Sequence, residues 1–265
     1  MKRLFCILLA AALLLTGCGS RETAAQQEPL SVSMEAAPVM GRSYAPQSPL
    51  PREVTPMAEG GQLEKGSIWR AAQSDDGQAA LYSLDSDAGT VLVEWDGDLA
   101  AFDGWSFQSP QCVQPLLEVL DIGGTEALVI RLFIDGGTVV SAEALHILVK
   151  DSRGYMTDYT LPESLYTERL AELMTAEIGK RNGSVSIGNL TLNLSGQGRK
   201  FTGGPCLGSI VCYKISGGAI FLTLAIGMET EGTAVPTYVG ELLADVTFDR
   251  DTGTYTLSGF ALRED

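Results

Sequence analysis

From Gly66 to the C-terminus, apolar residues come in short runs broken by Gly and Asp. In the clearest runs they alternate with polar ones. Ile220, Leu222, Leu224 and Ile226 fall on one face of an extended chain. Leu242, Ala244, Val246 and Phe248 do the same, with Asp245 and Thr247 opposite. A period of two with one wet face predicts half-buried antiparallel strands. Strands are expected at 67–72, 79–84, 90–95, 127–134, 139–150, 184–187, 190–194, 209–215, 219–228, 238–248 and 254–262. "DGGT" (135–138) and "DRDTGT" (249–254) between runs have the chemistry of tight turns. One segment is helical in spacing. Thr160-Leu161-Pro162-Glu163 reads as a capping box with proline in the first turn. Tyr166, Leu170, Leu173, Met174 and Ile178 follow on one stripe up to Gly179, with Lys180 and Arg181 at the negative end of the dipole. The expected fold class is α+β, predominantly antiparallel β (sandwich-like or curved sheets), with one packed amphipathic helix.

Upstream the pattern stops. Six of the 11 prolines lie between residues 19 and 65, among Ala, Gln, Ser and Glu, and no period persists. Residues 18–65 are therefore expected to be a disordered, Pro-rich tether, with a reach on the order of 40 Å. An extended arm docked on the domain is the alternative. Residues 66–265 are expected to form a single β-rich domain.

At the N-terminus, Lys2 and Arg3 precede an unbroken apolar run of 12 residues, Leu4 to Leu15. A spanning helix needs roughly 20 such residues, so the run has the length of a signal-peptide core. It ends in Leu15-Thr16-Gly17-Cys18. This ending resembles the lipobox of bacterial lipoproteins. The resemblance implies that residues 1–17 are removed, that Cys18 takes a diacylglyceryl group and that its new amine takes a further acyl chain such as palmitate. Each buried CH₂ contributes about 0.8 kcal/mol, and more than one chain is needed for stable anchoring. The expected location is the extracytoplasmic face of the cell membrane.

Charge supports an anchor of that kind. Lys+Arg is 18 and Asp+Glu is 33, a net charge of −15. Such a surface repels phosphate backbones and anionic headgroups, which argues against nucleic acid as a partner and against adhesion through a basic face. Of the five cysteines, Cys6 leaves with the signal and Cys18 is the lipid site. Cys112, Cys206 and Cys212 remain, and they read best as small buried hydrophobes. Bridging of Cys112 to either of the others is the alternative.

No catalytic pattern is present: there is no nucleophile elbow, no phosphate-binding glycine loop and no zinc-ligand spacing. The single histidine, His146, shares a strand face with Ala144, Leu148 and Lys150 and reads as half-buried and structural. "DSDAG" (85–89), "DRDTG" (249–253) and "DIGGTE" (121–126) place Asp121, Glu126, Asp249 and Asp251 as metal candidates. Calcium needs more oxygens than the two carboxylates each offers, so turn chemistry is the favoured reading and no cofactor is expected. Trp69, Trp95 and Trp105 suit sugar stacking but more often belong to a core. No pair of acids is singled out for glycoside hydrolysis.

The stretch "PLLEVLDIGGTEALVIRLFIDGGTVVSAEALHILVKD" (115–151) resembles a group of uncharacterised Gram-positive lipoproteins, themselves locally similar to FG-GAP/VCBS Asp-rich loop repeats. Asp121, Gly124, Glu126, Gly137, Thr138, Val140, Ser141, Glu143, Leu145 and His146 match the pattern. Ile122 and Gly123 stand where that group often has Asp or Asn, so its metal ligands are incomplete here. "YVGELLADVTFDRDTGTY" (238–255) is similar to the same group. The resemblance implies an exported α+β domain and carries no activity. The functional expectation is a non-catalytic binding or interaction module at the cell envelope, partnered by a ligand or protein there, with a surface hydrolase using Asp/Glu carboxylates as the alternative. Cys18→Ser is expected to release the chain from the membrane fraction, and mass spectrometry of the native protein to show a doubly modified N-terminal Cys18. An unmodified first peptide would overturn the anchor.

Overall fold

The structure, a computed structural model, describes residues 30–54, 67–84, 89–105, 114–136, 140–161, 163–179, 183–194, 200–207 and 210–264. The chain opens with an arm, β1 (Val32–Glu35), β2 (Val39–Met40) and β3 (Arg42–Ser43). A meander follows, β4 (Ile68–Gln73), β5 (Ala79–Leu84), β6 (Val91–Trp95) and β7 (Asp98–Phe102). Next come β8 (Leu116–Ile122), β9 (Thr125–Gly136), β10 (Ser141–Lys150) and β11 (Met156–Asp158), then the helix α1 (Glu163–Leu173). A second meander is β12 (Met174–Ile178), β13 (Gly183–Ile187) and β14 (Leu190–Asn193). The chain ends in β15 (Phe201–Cys206), β16 (Ile210–Ser216), β17 (Ala219–Thr230), β18 (Thr237–Asp249) and β19 (Thr254–Glu264). The fold is thus mostly antiparallel β with one helix, as the alternation predicts. No helix among the described residues is long and apolar enough to cross a membrane.

Three layers share two cores. The largest sheet runs β8-β9-β10-β16-β17-β18-β19-β1, with β11 and β2 beside β10 and β15 beside β17. Leu128, Ile130, Leu132 and Leu148 face the five-stranded sheet β3-β7-β6-β5-β4, against Leu81, Val93, Trp95 and Phe102. Ala127, Val129, Leu145 and Ile147 point the other way. They join Ile220, Leu222 and Leu224 of β17, Leu242, Ala244 and Val246 of β18, the helix and β12–β14. The large sheet therefore curls around its own core. The faces predicted for β17 and β18 pack as expected, with Ile220 opposite Val246, Leu222 opposite Ala244 and Leu224 opposite Leu242.

Three expectations are corrected. The helical stripe ends early: 174–178 is a strand paired with β13, from Met174 opposite Ile187 to Ile178 opposite Gly183. Leu173 and Ile178 are exposed, so Gly179 follows a strand instead of capping a helix. The hairpin satisfies the backbone of β13 and buries Val185 and Ile187, which a longer helix would leave unpaired. The second correction adds β7 and β8, whose Ala- and Leu-rich composition has weak β character. Asp96 (φ 50°) and Gly97 (φ 81°) form the two-residue turn that sends the chain into β7.

The third concerns the tether. Residues 30–54 dock as an arm. β1 pairs with β19, β2 with β11 and β3 with β7, and the Tyr44 and Leu50 side chains pack on the outer face of the small sheet. Alternating Val32 and Met34 bury themselves, which gives this stretch the apolar surface that composition alone hides. Residues 18–29 and 55–66 lie outside the described residues. The arm fastens the two large layers together, since β2 and β3 belong to different sheets. Gly41 sits between them: its N–H donates to the Met156 carbonyl at 2.9 Å, and a Cβ there would stand 2.6 Å from the Phe102 ring. Gly41→Val is expected to cost about 1–3 kcal/mol by overpacking. Urea denaturation checks this, and an unshifted midpoint would mean that the arm is not docked.

Candidate functional site

The first polar constellation lies between layers. His146 on β10 points at the small sheet with Ala144 and Leu148, as its strand position predicts, but it is fully buried at 5 % exposure. Its Nδ1 lies 2.9 Å from Asp158 Oδ2 and 2.6 Å from Thr160 Oγ1. A carboxylate at that distance requires the proton on Nδ1, so the ring donates there. The Thr160 hydroxyl in turn donates to Asp158 Oδ2 at 2.7 Å. The Trp105 ring stacks on the imidazole, with centroids 3.7 Å apart. Among the described residues no hydroxyl or thiol sits on Nε2, so a His–Asp pair is present without a nucleophile. The Thr160 oxygen, predicted as a helix cap, is drawn into this joint. Removing one partner of such a pair strands a buried polar group, typically at 3–5 kcal/mol.

The second lies where two strands part. The edge of β10 that faces away from β9 is shared: Ser141 and Ala142 pair in parallel with β16, and Leu148 to Lys150 pair with β11. Beyond Ala142 the backbone of β16 loses its neighbour. Glu143 Oε2 accepts the Tyr213 N–H at 2.6 Å, and the Arg131 guanidinium donates to the Tyr213 carbonyl at 3.0 Å. Burial pushes the Glu143 carboxyl above its usual range, against the Tyr213 N–H and Arg131, which pull it down. Glu143 is one of the residues that match the lipoprotein pattern; here it holds a strand.

The third is a groove at the open end of the curled core. A hollow of about 660 Å³ lies between the β8–β9 turn and the neighbouring ends of β17 and β18. Its floor is apolar, with Ile122, Ile220, Val246 and Phe248, and Asp121 and Asp245 stand at its edge. A smaller hollow of about 280 Å³ adjoins it through Ile122, Gly123 and Phe248, and is edged by Asp249 and Asp251. The Phe248 ring is wedged between Tyr159 and Tyr255, at 5.1 and 4.9 Å between centroids, which fixes the floor.

The structure thus brings together three of the four metal candidates from distant parts of the sequence. Asp121, Asp249 and Asp251 edge one groove; Glu126 lies opposite Asp121 across the hairpin and is not part of it. Turn chemistry occupies two of them. Asp121 Oδ1 accepts the Gly124 N–H at 2.7 Å, and Asp249 Oδ1 accepts those of Asp251 and Thr252 at 2.9 and 3.3 Å. No group of three His, Cys, Asp or Glu side chains among the described residues could hold a metal. Among the described residues, no Lys or Arg is ion-paired with Asp121, Asp245, Asp249 or Asp251. Arg250, between two of these acids, itself lines the smaller hollow and donates to Thr125 Oγ1, which lines it too, and to the Lys150 carbonyl, both at 3.4 Å.

The remaining candidates have structural places. Trp69, Trp95 and Trp105 are buried in the core between the layers and present no face to a sugar. Cys206 and Cys212 are free thiols, half-buried where burial was expected, and burial pushes both above the usual thiol range. Cys18, Cys112 and residues 85–88 lie outside the described residues. Asp158 and Arg131 carried no sequence signal, and Thr160 and Asp245 carried only a helix cap and a polar strand face, because the roles of all four are defined by neighbours elsewhere in the chain. The chain matches no family model, no curated protein and no solved structure.

The raised Glu143 carboxyl has a pH signature. The folded chain binds this proton more tightly than the unfolded chain, whose carboxyl has the ordinary value of 4.5. Folding therefore gains as pH falls through the folded value, and the gain is lost as pH rises through it. Glu143→Gln keeps an acceptor for Tyr213 and removes the titration. The melting temperature of the native chain, less that of Glu143→Gln, is expected to rise as pH falls from neutrality towards 4.5. A flat difference would refute this.

Proposed function

We propose that this chain is a lipid-anchored binding module on the extracytoplasmic face of the cell membrane, held by Cys18 and engaging a ligand or protein of the envelope through its groove. The observation that carries the reading is the groove itself: an apolar floor held rigid by the Tyr159–Phe248–Tyr255 cluster, beside carboxylates without a partner cation among the described residues. Pockets of this size that combine an apolar lining with a few convergent polar groups are the usual places for ligands. The His146–Asp158 pair is buried, and among the described residues no hydroxyl or thiol sits on its Nε2, so this reading gives it a place in the architecture.

The docked arm changes how such a module would sit. Only residues 19–29 separate Cys18 from the described chain at Leu30, a span of at most about 40 Å when fully extended. A lipid on Cys18 would hold the domain close to the bilayer, where a longer tether would let it roam.

Carboxylates along a groove also suit a hydrolase, and this second reading rests on Asp121, Asp249 and Asp251 converging there. A panel of cell-wall polymers and glycans separates the two. The binding module is expected to turn over none of them. Turnover abolished by Asp121→Asn or Asp249→Asn would replace the module with an enzyme.

A further inference from the structure

We propose that the groove takes an extended basic peptide segment whose apolar side chains seat on the floor between its charges. This deepens the binding-module reading and rests on it. The argument is charge complementarity with geometry. The two hollows join end to end through Ile122, Gly123 and Phe248, so the site is elongated. Asp121 and Asp245 edge the larger hollow, and Asp249 and Asp251 edge the smaller one. Acids therefore border both hollows, with Asp245 and the exposed Phe221 paired on the strand face opposite Val246 and Ile220.

Other occupants fit less well. An anion meets four carboxylates against one guanidinium, that of Arg250. A bare cation finds no set of three ligands among the described residues. A purely polar chain would strip water from the apolar floor and give nothing back. A segment with alternating basic and apolar side chains meets both features at once, because alternate side chains of an extended chain point to opposite sides and every second one reaches the same surface. Of the protein's own cations, Arg250 lines the smaller hollow between Asp249 and Asp251 and donates to Thr125, another lining residue, and to the Lys150 carbonyl, both at 3.4 Å, so it offsets part of the charge there while carboxylates stay in excess. Lys214 is separated from Asp245 by the intervening Phe221 in the same cross-strand row. Phe221 is exposed at 37 % beside the hollow and offers a further apolar contact.

The test uses the full chain in neutral detergent and three fluorescein-labelled peptides, read by anisotropy: Lys-Phe-Lys-Phe-Lys, Glu-Phe-Glu-Phe-Glu and Lys-Ser-Lys-Ser-Lys. The lysine–phenylalanine peptide is expected to bind at least about tenfold more tightly than either control, and to weaken as salt is raised. Asp121→Asn with Asp249→Asn keeps the acceptors that both turns need and removes two charges; it is expected to weaken binding about tenfold. Ala219→Trp, at an exposed position on the wall of the groove, is expected to block the floor without touching the acids. Its effect, with the salt series on the native chain, decides the matter if the double variant fails to fold. Equal binding of the glutamate peptide, equal binding of the serine peptide, or native affinity in Ala219→Trp would each overturn the proposal. Binding of none of the three peptides also overturns it and leaves the module reading intact; turnover of a wall polymer defeats that reading separately.

Discussion

The structure depends on one layer being apolar on both faces. β9 and β10 lie between the small sheet and the curled core, so consecutive residues, not alternate ones, must be buried: Ala127, Leu128, Val129 and Ile130, then Leu145, His146, Ile147 and Leu148. The other layers cover this one, and the small sheet is itself apolar on its outer face, where Ala80, Tyr82, Leu92 and Ala101 lie under Tyr44 and Leu50. The small sheet presents Leu81, Val93, Trp95 and Phe102. The far half of the large sheet presents the even-numbered positions of β17 and β18. A buried layer with two faces is usual for parallel sheets flanked by helices. Here sheets stand on both sides, and β10 gains its one stretch of parallel pairing where β16 returns to it.

Polar residues inside such a layer are dangerous, because water cannot reach them. Among the described residues β9 and β10 bury two, His146 and Glu143, with the half-buried Arg131 beside them, and each is answered by specific partners. His146 is answered by Asp158 and Thr160, so β11 and the entry to the helix are fixed by the same bonds that satisfy the ring. Glu143 and Arg131 are answered by the Tyr213 peptide groups, where the shared edge of β10 would otherwise leave an N–H and a carbonyl unpaired. These contacts specify position more than they add stability. They determine where β16 leaves β10 and where β11 takes over. The arm acts in the same place from outside: β2 extends β11, Gly41 passes over the Phe102 ring, and Arg42 pairs with Asp103 at 2.8 Å, one turn from Trp105 and His146.

Sequence pattern reveals what depends on local periodicity and misses what depends on neighbours. The faces of β17 and β18 were legible because one side is wet, so the alternation survives. β9 and β10 were legible as strands but not as a double-faced layer, since a continuous apolar run does not say what covers it. Residues 174–178 misled for a definite reason: Met174 and Ile178 continue the spacing of Tyr166 and Leu170, yet the pairing needs of β13 outweigh four residues of helical stripe. β8 was missed because Leu and Glu favour helix, and its strand state comes from β9. The docked arm stood only as the alternative to a tether, because proline and alanine suggest disorder, whereas its buried residues are few and meet sheets built much later in the chain. The groove was half legible. Asp121, Asp249 and Asp251 stood out as turn acids, and only the fold reveals that two turns 128 residues apart in sequence, at Asp121 and Asp249, meet at one opening.

That meeting gives the acidic composition a location. An excess of carboxylates spread evenly would only keep the chain soluble and repel anionic surfaces. The described cations are distributed against such evenness. Lys150 lies 3.0 Å from Asp96 and 3.4 Å from Asp98, Arg153 pairs with Asp151, Lys200 with Glu231 and Arg263 with Glu241. These pairs sit on the hairpins and strand edges, and the groove acids receive none. Turn geometry explains why Asp121 and Asp249 are acids or amides, since either supplies the acceptor a tight turn needs. It does not explain Asp245, which sits mid-strand on β18 with its carboxylate against Gly259 and makes no turn. Asp245 is in register with the exposed Phe221 and both border the apolar hollow, which is where the proposed peptide would meet a carboxylate beside an apolar side chain. A field of that sign would repel anionic lipid and would draw the proposed basic partner over roughly a Debye length, about 8 Å at physiological salt.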